Sequence, residues 1–84
     1  MPSRVQRERR DRRRALTVLA GSADGVTEAL MLARGFTIPL LVELIHAGLA
    51  SATIDRVIAG RRTLNVVRLK ITDVGRQELA GRAG

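Results

Sequence analysis

Two stretches, Thr37-Ile-Pro-Leu-Leu-Val-Glu-Leu-Ile-His-Ala-Gly-Leu49 and Leu69-Lys-Ile-Thr-Asp-Val-Gly-Arg-Gln-Glu-Leu79, decide how this chain folds. The first predicts a short amphipathic helix over 38–47. Thr37 is a good N-cap, and Pro39 falls in the first turn, where its missing N–H has no partner to lose. Ile38, Leu41, Leu44 and Ile45 share one face and form the expected inward stripe. Gly48 followed by Leu49 fits a glycine C-cap with an apolar residue folding back on the last turn. The second stretch joins a strand to a helix. Thr72 caps that helix and Asp73 sits in its positive first turn. Val74, Leu79 and Ala80 are expected to dock on the core. Gly75, inside the first turn, costs about 1 kcal/mol relative to Ala, so it is expected to permit close approach to another backbone.

Between the two lies a basic hairpin. Residues 50–58 read as a strand carrying Ile54, Asp55, Arg56 and Val57, with a short helix capped at Thr53 as the alternative. Residues 59–63 form the loop, with Gly60 for the turn and Arg61 and Arg62 at the tip. Residues 64–72 are the clearest strand: Val67, Leu69 and Ile71 point one way, and Val66, Arg68 and Lys70 the other.

Upstream, Leu16, Leu19 and Ala20 mark a first core helix over 15–20, ended by Gly21. A turn at 22–25 offers Asp24 as the cap of a second helix over 26–34, with Val26, Leu30 and Ala33 on its stripe and Met31 and Leu32 broadening it. Gly35 is a left-handed C-cap. Phe36, the only aromatic residue, is expected to plug the junction between helices two and three.

The order helix, two-stranded hairpin, helix resembles the winged helix-turn-helix family of small bacterial type. The local echoes are Leu44-Ile-His-Ala-Gly-Leu49 and Leu69-Lys-Ile-Thr-Asp-Val-Gly-Arg76. In that family a helix-ending Gly-Leu precedes the wing, and a strand then runs into Thr-x-x-Gly. The resemblance spans roughly residues 15–81. It implies an α+β fold: a three-helix core, a two-stranded β-hairpin wing and a short C-terminal helix. The expected organisation is a flexible Arg-rich arm over 1–14 and a winged-helix domain over 15–84.

The resemblance also implies double-stranded DNA as partner, with helix three at the major groove and the wing on phosphates or the minor groove. Carried over, the groove-facing positions are Thr37, Pro39, Leu40, Glu43, His46 and Ala47. The wing positions are Arg56, Arg61, Arg62, Arg68 and Lys70. The residues themselves qualify this. The outward face of helix three has no Arg, Lys, Asn or Gln, the usual readers of base edges. Non-specific or wing-led binding therefore fits better than base readout. The alternative is a protein-interaction module, docking a partner or a second copy through Pro39, Leu40 and Val42.

Charge placement bears on the same question. The chain has 84 residues and a net charge of +7. Residues 1–14 hold seven Arg against Glu8 and Asp11, so most of the excess lies in the arm. Arg10, Arg12, Arg13 and Arg14 are its expected phosphate contacts; a solubilising terminus is the competing reading. A core this small also benefits from dimerisation.

The inventory for catalysis is nearly empty: one His, no Cys, no Tyr, and Ser only at 3, 22 and 51. His46 has Glu43 three residues before it and no second His at metal-ligand spacing. No Gly-rich phosphate loop is present. The expectation is a non-enzymatic, cofactor-free protein that regulates transcription or assists a factor that does. The Cys-free composition and the lack of a signal-peptide pattern or an apolar run of membrane-spanning length suggest the cytoplasm.

Overall fold

The computed structural model describes residues 4–81, which form a small α+β fold with four helices and one three-stranded antiparallel sheet. Helix α1 spans Arg4–Ala20, followed by strand β1 (Val26–Thr27), helix α2 (Glu28–Ala33) and helix α3 (Ile38–His46). Strands β2 (Ala50–Ala59) and β3 (Arg62–Ile71) make a long hairpin, and helix α4 (Asp73–Gly81) completes the chain. The strand order is β1-β3-β2.

α1 is longer than the apolar pattern of 15–20 predicts. Its inward stripe is Arg12, Ala15, Leu16 and Leu19, spaced i, i+3, i+4, i+7. The three apolar members are no more than 1% exposed. The same helix continues backward through the Arg-rich segment without a break at position 15, so the segment and the first core helix are one element.

Residues 22–30 depart from the expected turn and helix. Val26 and Thr27 are not the start of a helix but a third strand, with Val26 opposite Leu69 and Thr27 opposite Arg68. Gly25, at φ +89°, makes this possible. A side chain there meets the Leu69 carbonyl oxygen at 2.6 Å, so only glycine lets the chain lie against β3. Thr27, not Asp24, then caps α2, its hydroxyl accepting from the Leu30 N–H at 3.2 Å. Starting the helix two residues later turns its apolar face: Met31 is fully buried and Leu30, expected inside, is 46% exposed.

α3 starts at its predicted cap, the Thr37 hydroxyl accepting from the Leu40 N–H at 3.3 Å. Leu41 and Leu44 are buried as expected, but Ile38 and Ile45 are exposed. The inward stripe is narrower than the pattern suggests because only one face of α3 meets the core. Gly48, at φ +75°, ends the helix and Leu49 folds back, its N–H donating to the Leu44 carbonyl.

The hairpin resolves the alternative at 50–58 in favour of a strand, paired from Ala50–Ile71 to Ala59–Arg62 without a bulge. The loop is tighter than expected, only Gly60 and Arg61. Gly60 has φ +65° and no other residue of the turn has positive φ, the pattern of a type II′ turn. Register and alternation put Val26, Ala50, Val67, Leu69 and Ile71 on the core face. This matches the predicted facing of β3. Beyond Ala52 the hairpin leaves the core, and Ile54, Val57, Ile58 and Leu64 are exposed. The Cα radius of gyration is 14.0 Å, against about 12 Å for a compact chain of this length, so the fold is elongated.

α4 is fastened to the end of α3. The Thr72 hydroxyl donates to the Gly48 carbonyl at 2.6 Å and accepts from the Gly75 N–H at 3.0 Å. The Thr72 N–H donates to the Leu49 carbonyl at 3.0 Å. A Cβ on Gly75 would collide with that same carbonyl oxygen, so the close approach expected from its cost is present. Leu79 packs on the core. Val74, expected to dock there, is 53% exposed, because the fastening turns Gly75 inward instead.

Candidate nucleic-acid interface

The arginines of α1 are not equivalent. Helical phase separates Arg12 from its neighbours. Its stem lies along the core-facing stripe, its Nη1 is 3.8 Å from Glu43 Oε1 on α3, and its Nε is buried without a hydrogen-bond partner. Arg12 thus ties α1 to α3 rather than pointing at solvent. Arg10, Arg13 and Arg14 fall with Thr17 on a different stripe, again at i, i+3, i+4, i+7.

That stripe forms one wall of an open groove of about 500 Å³, lined also by Val18, Arg34 and Phe36. Arg14 is held in place: its guanidinium lies 5.4 Å from the centroid of the Phe36 ring and 3.5 Å from Asp11. Among the described residues the side chains of Arg10, Arg13 and Arg34 have no ion pair. Phe36 is 6% exposed and fills the junction of α1, α2 and α3, as its position in the sequence suggests. A second groove, about 770 Å³, runs between α1 and α4 past Arg9, Arg10, Arg12 and Arg13. Glu78 also lines it, so its field is weaker.

Arg34 is absent from the sequence-derived candidates. It is the C-cap residue of α2 and reaches the basic groove because the turn after α2 lies against α1 there, where Phe36 meets Arg14. A basic residue at a helix C-terminus signals a favourable dipole interaction, and nothing in its spacing connects it to positions 10–14.

The five hairpin cations are spread over both faces and the tip. Arg56 lies on the face that continues the core side; Arg62, Arg68 and Lys70 lie on the other. Arg61 is in the turn. Arg56, Arg61, Arg62 and Lys70 are exposed. Arg68 is engaged: its Nε donates to Asp55 Oδ2 at 2.9 Å, a diagonal cross-strand pair. Arg68, expected among the phosphate contacts, already has a carboxylate at its guanidinium.

On α3, Thr37 and His46 are exposed at opposite ends, and the Thr37 hydroxyl oxygen serves as the helix cap. Pro39, Val42 and Glu43 are exposed, whereas Leu40 is half-buried and packs on the core. The exposed apolar stripe is Ile38, Val42 and Ile45, at 44%, 45% and 37% exposure. Among the described residues no group of three or more His, Asp or Glu stands close enough to hold a metal ion, and no helix is long and apolar enough to cross a membrane. Comparison with family models, curated proteins and solved structures finds no match for this chain.

Proposed function

We propose that this protein binds double-stranded DNA through its phosphates, as a small non-enzymatic, winged-helix-like regulator or accessory factor. The observation that carries the reading is the placement of unpaired arginines. Arg10, Arg13 and Arg34 sit on the helical body, and Arg61 and Arg62 at the end of a hairpin that projects from it. Like charges gathered this way repel each other, and a polyanion relieves that repulsion while releasing its own counterions. The element order supports the winged-helix likeness: helix α3, a two-stranded hairpin and helix α4 follow one another as the sequence pattern leads one to expect.

The binding would be largely indifferent to sequence. The exposed face of α3 offers Ile38, Pro39, Val42, Glu43, Ile45 and His46, of which only His46 and Glu43 present polar atoms to a base edge. The decisive experiment is fluorescence anisotropy with random-sequence duplex DNA over a salt series, comparing the wild-type chain with the R61A/R62A double variant. The expected result is weaker binding and a salt slope flatter by up to about two for the variant. An unchanged slope removes the hairpin from the interface. Absence of binding by the wild-type chain near physiological salt removes the DNA reading altogether.

A second reading is favoured by the stripe Ile38, Val42, Ile45, spaced i, i+4, i+7 and left open to solvent. An apolar helix face of this kind is suited to docking protein. On this reading the fold is an interaction module and the arginines serve solubility.

A further inference from the structure

We infer that the groove between α1 and the α2–α3 turn is a discrete site for adjacent phosphate groups, one that recognises the oxyanions and not what they are attached to. The inference shares the α1 arginines with the DNA reading but needs neither the hairpin nor a duplex.

Three features set the groove apart from a diffuse basic surface. First, its cations come from two elements. Arg10, Arg13 and Arg14 stand on one helical stripe, and Arg34 closes the groove from the end of α2. Second, among the described residues no carboxylate lines it. Asp11 neutralises Arg14 from the side, which leaves three guanidinium charges, Arg10, Arg13 and Arg34, without an ion pair among the described residues. Holding three like charges around one concavity is unfavourable until anions of matching charge enter it. Third, Arg14 is fixed by the Phe36 ring beneath it and by Asp11, so part of the site is ordered before a ligand arrives. Guanidinium groups match the oxygens of phosphate with two parallel N–H donors each, which favours phosphate over a simple halide.

The lining also says what the site would ignore. Phe36 is 6% exposed and its ring is already covered by Arg14, so it offers no face for a nucleobase to stack on. The Thr17 hydroxyl donates to the Arg13 carbonyl at 2.8 Å and is not available as a donor to a ligand. Val18 is apolar. Affinity should therefore follow the number of adjacent phosphates and be the same for ATP, GTP and inorganic tripolyphosphate. Consecutive phosphodiesters of a nucleic-acid strand and a free polyphosphate present the same chemistry to it.

The test is isothermal titration calorimetry of the full-length chain with tripolyphosphate, ATP and GTP at constant ionic strength. It is run on wild type, Arg34→Ala, Arg34→Lys and, as a control outside the groove, Arg76→Ala on the exposed side of α4. Arg34 is exposed at a helix end, and matched thermal melts verify that each variant folds. The expected result is binding of all three ligands with similar affinity, weakened about tenfold or more by Arg34→Ala. Arg34→Lys should recover part of the loss, and Arg76→Ala should change nothing. Duplex DNA binding of Arg34→Ala then identifies the source. A parallel loss places backbone phosphates in the groove, and an unchanged duplex affinity assigns the groove to a free polyphosphate. The inference is overturned if wild type binds no tripolyphosphate, if Arg34→Ala binds it as well as wild type does, or if ATP and GTP differ tenfold. Tripolyphosphate binding without duplex binding would sink the DNA reading and leave the groove standing; duplex binding without tripolyphosphate binding would do the reverse.

Discussion

Single residues fix the joint on which α4 turns. Gly75 faces the Leu49 carbonyl with no room for a methyl group, and both sides of the contact are backbone, which cannot rotate away. Gly75→Ala should therefore lower stability by about 1–3 kcal/mol in a denaturant melt, the usual cost of overpacking. Gly81→Ala, with open space around its Cα, should be neutral to within about 1 kcal/mol. Thr72→Ala removes two hydrogen bonds at once and should cost about 1–2 kcal/mol, with Thr72→Ser restoring most of it. The Gly75 contact was legible in the sequence, because a glycine in a first helical turn needs a reason. Arg34 was not, since its meaning depends on which element the turn after α2 meets. Nor was the pairing of Arg68 with Asp55, thirteen positions apart, because it depends on the hairpin register.

At the scale of elements, helical phase decides what the Arg-rich segment does. Net charge treats its arginines as one patch. Once α1 continues back from Leu16 and Leu19, however, Arg12 must face α3 and Arg10, Arg13 and Arg14 must face elsewhere. That division follows from positions already in the sequence, but the apolar pattern begins only at residue 15 and does not reveal it. β1 was missed for a different reason: two residues have no periodicity, and only Gly25 beside β3 explains them. The hairpin carries a prediction of its own. Asp55 holds Arg68 by a partly exposed pair, with side chains 47% and 34% accessible, so breaking it should cost stability no more than about 1 kcal/mol. If the hairpin lies on DNA, Asp55→Asn frees one guanidinium and removes one negative charge. Duplex affinity should rise and the salt slope steepen by about one. An affinity unchanged by Asp55→Asn would mean that this face of the hairpin does not meet phosphate.

The whole molecule is a small core with two extensions, the Arg-rich end of α1 and the distal hairpin, and most of its exposed large apolar side chains lie on α3 and on that hairpin, with Leu30, Leu32 and Val74 on α2 and α4. If α3 docks a second copy, sedimentation should show association that depends on concentration and that Val42→Glu abolishes while the melt stays unchanged. A chain that sediments as a monomer at all concentrations tested removes self-docking through α3. The sheet has a further consequence, one of time. β2 and β3 are joined by two residues and pair locally, so they can close within microseconds. Val26 and Leu69 stand half the chain apart, and their pairing must wait until everything between them has been gathered in. The slow step of folding should then be the arrival of the Gly25–Thr27 segment on a hairpin already formed. A variant such as Gly25→Ala would be expected to slow folding more than any change at the hairpin tip.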